Sequence, residues 1–380
     1  MAFSFAFAGD DIEEDDQQQQ HTSTPPVAST IAAPAPSAST AGAFPVQGKP
    51  LLPPAQHNLH NLLARLPSKI AFSLLEVDLG GDNESLSLPR RELWDVRVQL
   101  MAEDGTDTNA SESEAGLGEH DVKTGIYEGG FKSWESSVDL VKVLANERVK
   151  ETLAQEPCVL IELGCGTALP SLALFQWALA ARKSEQQQEP QQQPPLVLTL
   201  ADYNPSVLYL VTLPNLILTW ALQQRTENAV VQEAFTPDGE LELTSEVVDA
   251  FKQSLSSRRI TLSFLSGAWS PEFVDLLCQD GVPASLPDNT KTLVLGSETI
   301  YSPFALESFG ATLLSILQRA PLDRPAGEAK AIIAAKRLYF GVGGSLDDFI
   351  DKMRGLGSSL RTLSEETQGV HRGVVECHLG

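Results

Sequence analysis

The run Val159-Leu160-Ile161-Glu162-Leu163-Gly164-Cys165-Gly166-Thr167-Ala168-Leu169-Pro170 constrains this chain more than any other stretch. Val159 to Leu163 is short and almost continuously apolar, the pattern of a strand buried on both faces in a parallel sheet. Gly164 and Gly166 allow a sharp turn and close approach of a ligand to the backbone. The spacing predicts a helix over Leu169 to Ala181, whose first amides point at whatever lies over the turn. A G-x-G turn alone is also found in structures that bind nothing. Here Leu169 occupies the place of the third glycine of a dinucleotide-binding turn, which disfavours a pyrophosphate and hence a nicotinamide dehydrogenase. Glu162, two residues before the first glycine, suits a ligand carrying a cationic amine.

The rest of the chain repeats this alternation. Strands are expected at Leu196 to Ala201, Ile260 to Leu265, Thr292 to Leu295, Ala331 to Ala335, Leu360 to Ser364 and Val374 to His378. Helices are expected from Ser136 to Ala145, from Pro205 to the Pro214-Asn215 step and on to Leu222, from Ala305 to Arg319, and around Leu346 to Leu356. Strands and helices in turn give an α/β fold, a doubly wound, seven-stranded, mostly parallel sheet. Ligands of such sheets sit at the carboxyl ends of the strands. Gly164 to Gly166, Asp202 to Asn204, Gly267 to Trp269 and Ser297 to Tyr301 all fall at those ends. Chance would scatter them to both.

Before residue 123 the pattern differs. Residues 1–55 are rich in Pro, Ala, Ser, Thr and Gln, a composition that buries too little apolar surface to offset chain entropy. Within them Phe3, Phe5 and Phe7 alternate ahead of an acidic run from Asp10 to Asp16, either a solvated tail or a docking motif for a basic partner. Residues 56–122 read as a small β extension: a short helix at Leu59 to Leu66, a strand from Ile70 to Leu79, a turn at Gly80-Gly81-Asp82-Asn83, a return strand at Leu86 to Leu88, and an acidic loop over 103–121. Arg90 and Arg91 are expected on the surface, the alternative being a pair beside a cleft that holds an acidic group. Residues 123–380 form the principal domain. The Gln/Pro-rich stretch from Lys183 to Pro195 is an inserted loop, and 226–258 carries no clear pattern.

The formal net charge is -23, which favours basic protein partners and argues against nucleic acid. No apolar run is long enough to span a bilayer, and the N-terminus lacks a basic secretory start. Four scattered cysteines with no C-x-x-C pair fit a reducing compartment, cytoplasm or nucleus. His57-x-x-His60 and Cys377-His378 have no companion pair, so no metal is expected.

Taken together, Glu162-Leu163-Gly164-Cys165-Gly166, Asp202, Gly267-Ala268-Trp269 and Ser297-Glu298-Thr299-Ile300-Tyr301 resemble the seven-stranded S-adenosylmethionine-dependent methyltransferases. Tyr127-Glu128-Gly129-Gly130-Phe131, Leu88-Pro89-Arg90-Arg91-Glu92-Leu93 and the Phe-rich acidic start narrow the likeness to the eukaryotic protein-histidine N-methyltransferases, which modify a large-subunit ribosomal protein. The resemblance implies S-adenosyl-L-methionine as cofactor and a basic ribosomal protein as substrate. It implies that Trp134 and Glu135 line the pocket and that Glu162 lies near the methionine amino group. Gly164, Cys165 and Gly166 would pass under the methionine part. Asp202 would take the ribose hydroxyls, flanked by Tyr203 and Asn204. Gly267, Ala268 and Trp269 would pack by the adenine. Ser297, Glu298 and Tyr301 would face the methyl group, with Glu298 stabilising the imidazolium and Tyr301 orienting. A lysine methyltransferase of the same fold and a non-catalytic ribosome-binding module are the alternatives.

Overall fold

The computed structural model describes residues 51–80, 84–104, 130–146, 149–182 and 193–379. The Phe-rich start, the hairpin tip 81–83, most of the acidic loop, Tyr127 to Gly129 and most of the Gln/Pro loop lie outside them.

Five parallel strands make the centre of the main sheet: β4 (Cys158–Leu163), β5 (Leu196–Asp202), β7 (Ile260–Ser266), β8 (Lys291–Ser297) and β9 (Ala329–Lys336). β4 is flanked by β5 and β8, so the winding reverses there. Beyond β9 the antiparallel β11 (Arg372–Leu379) is inserted ahead of β10 (Ser358–Glu366). The α/β fold and the seven strands agree with expectation, but the sheet has eight. The extra one is β1 (Ala55–His57), antiparallel on the edge of β7. Its three residues carry too little pattern to announce a strand.

Every residue of β4 and β5 is buried. Side chains alternate between two cores, with Cys158 and Leu160 in one and Val159, Ile161 and Leu163 in the other. The first core is closed by α3 (Glu135–Asn146), α4 (Val149–Gln155), α5 (Leu169–Ala181) and α6 (Pro205–Gln224). The second is closed by α9 (Pro271–Leu276), α10 (Pro303–Asp323) and α11 (Leu346–Gly355).

The early hairpin, β2 (Lys69–Asp78) with β3 (Ser85–Arg91), joins a second sheet. Its third strand, β6 (Glu240–Glu242), comes from the stretch whose pattern was unclear. That stretch also holds α7 (Ala229–Ala234) and α8 (Ser245–Ser257), capped by Asn228 and Thr244. The remaining helices are α1 (Leu59–Leu63) and α2 (Leu93–Asp104).

Three expectations are corrected around α6. It does not step at Pro214: a π turn over Leu208–Thr212 carries the helix through. A proline has no N–H, so it leaves the carbonyl four residues back unbonded. That carbonyl, Leu210 O, accepts instead from Arg91 Nη1 at 2.8 Å. Arg91 is therefore buried rather than on the surface, held also by Asp95 at 2.6 Å and Gln99 at 2.8 Å. The same continuity makes α6 20 residues long and apolar enough, by length and composition, to cross a membrane, contrary to the reading of the sequence. In the fold 83% of that apolar window is buried, as in a core helix.

Candidate active site

The glycine turn after β4 is built by backbone geometry. Gly164 has φ +68°, which an L side chain rarely adopts, and a Cβ there would stand 2.8 Å from Thr299 Cγ2. Gly166 N–H donates to Asp202 Oδ2 at 2.9 Å, which ties the turn to the end of β5. From below, Thr212 Oγ1 in the π turn donates to Gly166 O at 2.7 Å. Asn215 Nδ2 donates to Thr167 O at 3.0 Å. A polar layer from α6 thus fixes the loop over which a ligand would lie.

Asp202 accepts a second amide, from Asn204 N–H at 3.1 Å. Asp202 also borders the cleft. Next to it, Gly267 N–H donates to the carbonyls of Asp202 and Tyr203, both at 3.1 Å. Ala268 N–H donates to Leu52 O at 2.9 Å, and Leu52 N–H to Tyr203 Oη at 3.2 Å. The segment leading into β1 therefore walls the same cavity, and Leu51 borders it. Trp269 stands edge-on to Phe309, ring centroids 5.3 Å apart.

At the end of β8, Glu298 has φ +58°, uncommon for any residue with a Cβ. Such strain costs about 1–3 kcal/mol and persists only where surroundings impose it. Here Glu298 N–H donates to Ala334 O at 3.0 Å on β9. Its two carboxylate oxygens accept from Ser136 Oγ, on α3, and from Tyr339 Oη, past the end of β9. Lys336 Nζ lies 5.2 Å from the Trp134 ring centroid and 5.8 Å from that of Tyr339. Burial pushes the Glu298 carboxyl above its ordinary range, against the downward pull of the Lys336 charge and the two hydroxyl donors.

These groups border one cleft of about 1270 Å³, its open mouth included. Of the residues singled out in the sequence, Trp134, Gly164, Cys165, Gly166, Asp202, Tyr203, Gly267, Ala268, Trp269, Ser297, Glu298 and Tyr301 line it. Three do not. Glu162 lies beneath the turn, where its Oε2 accepts from Ser171 N–H at 3.1 Å and satisfies a first-turn amide of α5. Glu135 is drawn to Arg372, 2.9 Å away. Asn204 is buried at the N-cap of α6. Sequence reasoning missed Ser136 as a partner of Glu298 and missed Lys336 and Tyr339. The last two stand at the carboxyl end of β9, and that position was the available signal.

The strand order, with β4 at the point of reversal and an antiparallel β11 inserted before β10, is that of the seven-stranded S-adenosylmethionine-dependent methyltransferases. No protein-family model matches the chain. Histidine protein methyltransferase 1 of Saccharomyces cerevisiae is 39% identical over 273 residues, 69% of this chain and 67% of that protein. Its namesake in Schizosaccharomyces pombe is 33% identical over 322 residues, 84% of this chain and 83% of that protein. The chain belongs to the histidine protein methyltransferase 1 family. Among solved structures, magnesium protoporphyrin IX methyltransferase from Synechocystis is 12% identical, covers 75% of this chain and 98% of its own, and has a TM-score of 0.29.

Proposed function

We propose that the chain transfers a methyl group from S-adenosyl-L-methionine to a ring nitrogen of histidine in a protein. The observation that carries this reading is the convergence of the glycine turn, Asp202, Trp269 and Glu298 on one cleft at the reversal point of the sheet. The cleft suits the donor chemically. A turn with glycine on either side of Cys165 admits the amino-acid part, a carboxylate at Asp202 is the acceptor that vicinal hydroxyls call for, and Tyr203, Ala268 and Trp269 offer an apolar bed for a purine. Bound there, S-adenosylmethionine supplies an electrophilic methyl carbon on a sulfonium.

The chain's own residues position the acceptor. An imidazole has an unperturbed pKa near 6.5, so at cellular pH it is mostly neutral and needs no strong base. The nitrogen that receives the methyl must carry the lone pair, so the other must carry the proton. Glu298 accepts that N–H, which selects the tautomer, and its charge stabilises the imidazolium as the N–C bond forms and the methyl–sulfur bond breaks to leave a neutral thioether; the N–H proton of the methylated ring then passes to solvent. Ser136 and Tyr339 hold the carboxylate, so little reorganisation accompanies the reaction. Tyr301 borders the same space and orients the ring.

For the substrate we propose a basic ribosomal protein, met in the cytoplasm or nucleus. The net charge of -23 supports a basic partner. The test is incubation with methyl-labelled S-adenosylmethionine and lysate from cells lacking this protein, followed by identification of the labelled residue. Methylhistidine in one basic ribosomal protein is expected. Methyllysine would shift the assignment to the lysine-modifying relatives, and no label would leave a binding module.

A further inference from the structure

We propose that Leu338 and Phe340, on the loop between β9 and α11, form the ledge on which the protein substrate docks. The ledge takes bulky apolar side chains next to the target histidine, and basic residues of the same segment reach an acidic rim beside it. This rests on the reaction proposed above and extends it to how the substrate is held.

The two side chains flank Tyr339. That tyrosine is 4% exposed and bonded to Glu298, whereas Leu338 is 47% and Phe340 80% exposed. Fixing the middle side chain inward turns its neighbours outward. The exposure does not come from a loosely held loop. Tyr339 N–H donates to Gly344 O at 2.9 Å, Gly343 N–H returns to Tyr339 O at 3.0 Å, and Gly344 N–H donates to Tyr301 O at 3.1 Å. At Gly344 even a Cβ would stand 2.1 Å from Ile300 O, so this loop packs directly on the one that carries Glu298 and Tyr301. A backbone fixed in this way keeps two large apolar groups in water.

Position and charge identify the occupant. Tyr339 and Val342 of the same loop border the cleft, so the ledge is continuous with the place where a histidine would meet Glu298. A macromolecule presenting that histidine passes over it. On the other side, Arg337 is already neutralised by Asp347 and Glu365, whose side chains are 64% and 50% exposed. Asp348 and Asp351 follow, exposed, on α11, whose last turn carries Arg354 and a Lys352 already paired with Glu307. The rim is thus net acidic and complements lysine or arginine next to the apolar anchor. Exposed aromatic anchors at the centre of such surfaces carry a disproportionate share of binding.

The test compares the native chain with the Leu338→Ser/Phe340→Ser double variant on lysate from cells lacking the protein, with methyl-labelled S-adenosylmethionine. The expected result is a roughly tenfold lower initial rate of histidine labelling at low lysate concentration, converging toward the native rate as lysate is raised. Calorimetric affinity for S-adenosylmethionine stays unchanged, which shows that the variant is folded, and Phe340→Leu retains most of the rate. Equal rates for native and double variant overturn the ledge. No labelling by the native chain overturns the reaction instead. A benzoylphenylalanine crosslinker at position 340 gives the second measurement. Its adduct is expected to form with the protein that carries the methyl group, and an adduct with Phe3 to Phe7 of the same chain overturns the proposal.

Discussion

Tyr339 Oη donates to Glu298 Oε2 across 41 residues of sequence, and so joins the ends of β9 and β8. The contact makes the tyrosine a support for the carboxylate. Glu298→Gln keeps the shape and loses the charge. Turnover is expected to fall on the order of a hundredfold, with calorimetric binding of S-adenosylmethionine retained. Tyr339→Phe removes one donor to the ionised form and costs about tenfold in turnover. It also acts on pH. Glu298 already titrates above the ordinary carboxylate range, and loss of a donor raises it further. The acid limb of the kcat profile therefore moves to higher pH in the variant. If the limb stays where it was, it belongs to the substrate imidazole and Glu298 has no part in it.

Gly164→Arg tests the turn. The position needs a left-handed backbone, and a Cβ there meets Thr299 Cγ2 before any longer side chain is placed. The guanidinium would fill the space assigned to the donor. Binding of S-adenosylmethionine is expected to weaken at least about a hundredfold, while circular dichroism keeps its native form. Native-like affinity in the variant places the donor elsewhere.

Gly267→Val tests whether the segment before β1 is part of the site. At φ +105° the new Cβ would lie 2.5 Å from Pro53 O. That pushes Leu51 to Pro54 away and breaks the Ala268 N–H bond to Leu52 O. A loss of about 2 kcal/mol is expected, with a fall of roughly 5 °C in Tm and weaker donor binding. Donor affinity that holds while Tm drops would make the segment a purely structural clamp.

The parts of this fold that could be read in advance were those whose pattern is local. Strands such as Val159 to Leu163 announce themselves because burial on both faces demands an apolar run. Residues at the carboxyl ends of the strands converge because the winding rule puts them there. The failures are non-local. Glu162 has the composition of a ligand contact, yet the helix that follows claims its carboxylate through Ser171. Glu135 belongs to Arg372, which is 237 residues away. Arg91 is buried because Pro214 leaves Leu210 O without a donor. No window of sequence shows such pairings. β6, three residues long, is a strand only because β2 lies beside it.

Glu162→Gln addresses one of the three predicted contacts that do not border the cleft. Burial pushes the Glu162 carboxyl from an ordinary 4.5 up to about 8, the Asp202 charge adds to that, and the bonds from Ser171 oppose it. Its Oε1 has no hydrogen-bond partner among the described residues. At neutral pH the folded chain therefore holds a proton here that the unfolded chain has released. Stability linked to this group is complete below about pH 4.5 and declines as pH rises toward 8. The total is on the order of a few kcal/mol. Glutamine keeps an acceptor for Ser171 N–H and has nothing to ionise. The melting temperatures of native and variant chains should therefore coincide near pH 5 and diverge as pH rises, with the variant the more stable. Curves that run parallel from pH 5 to 8 would mean that Glu162 is ionised throughout.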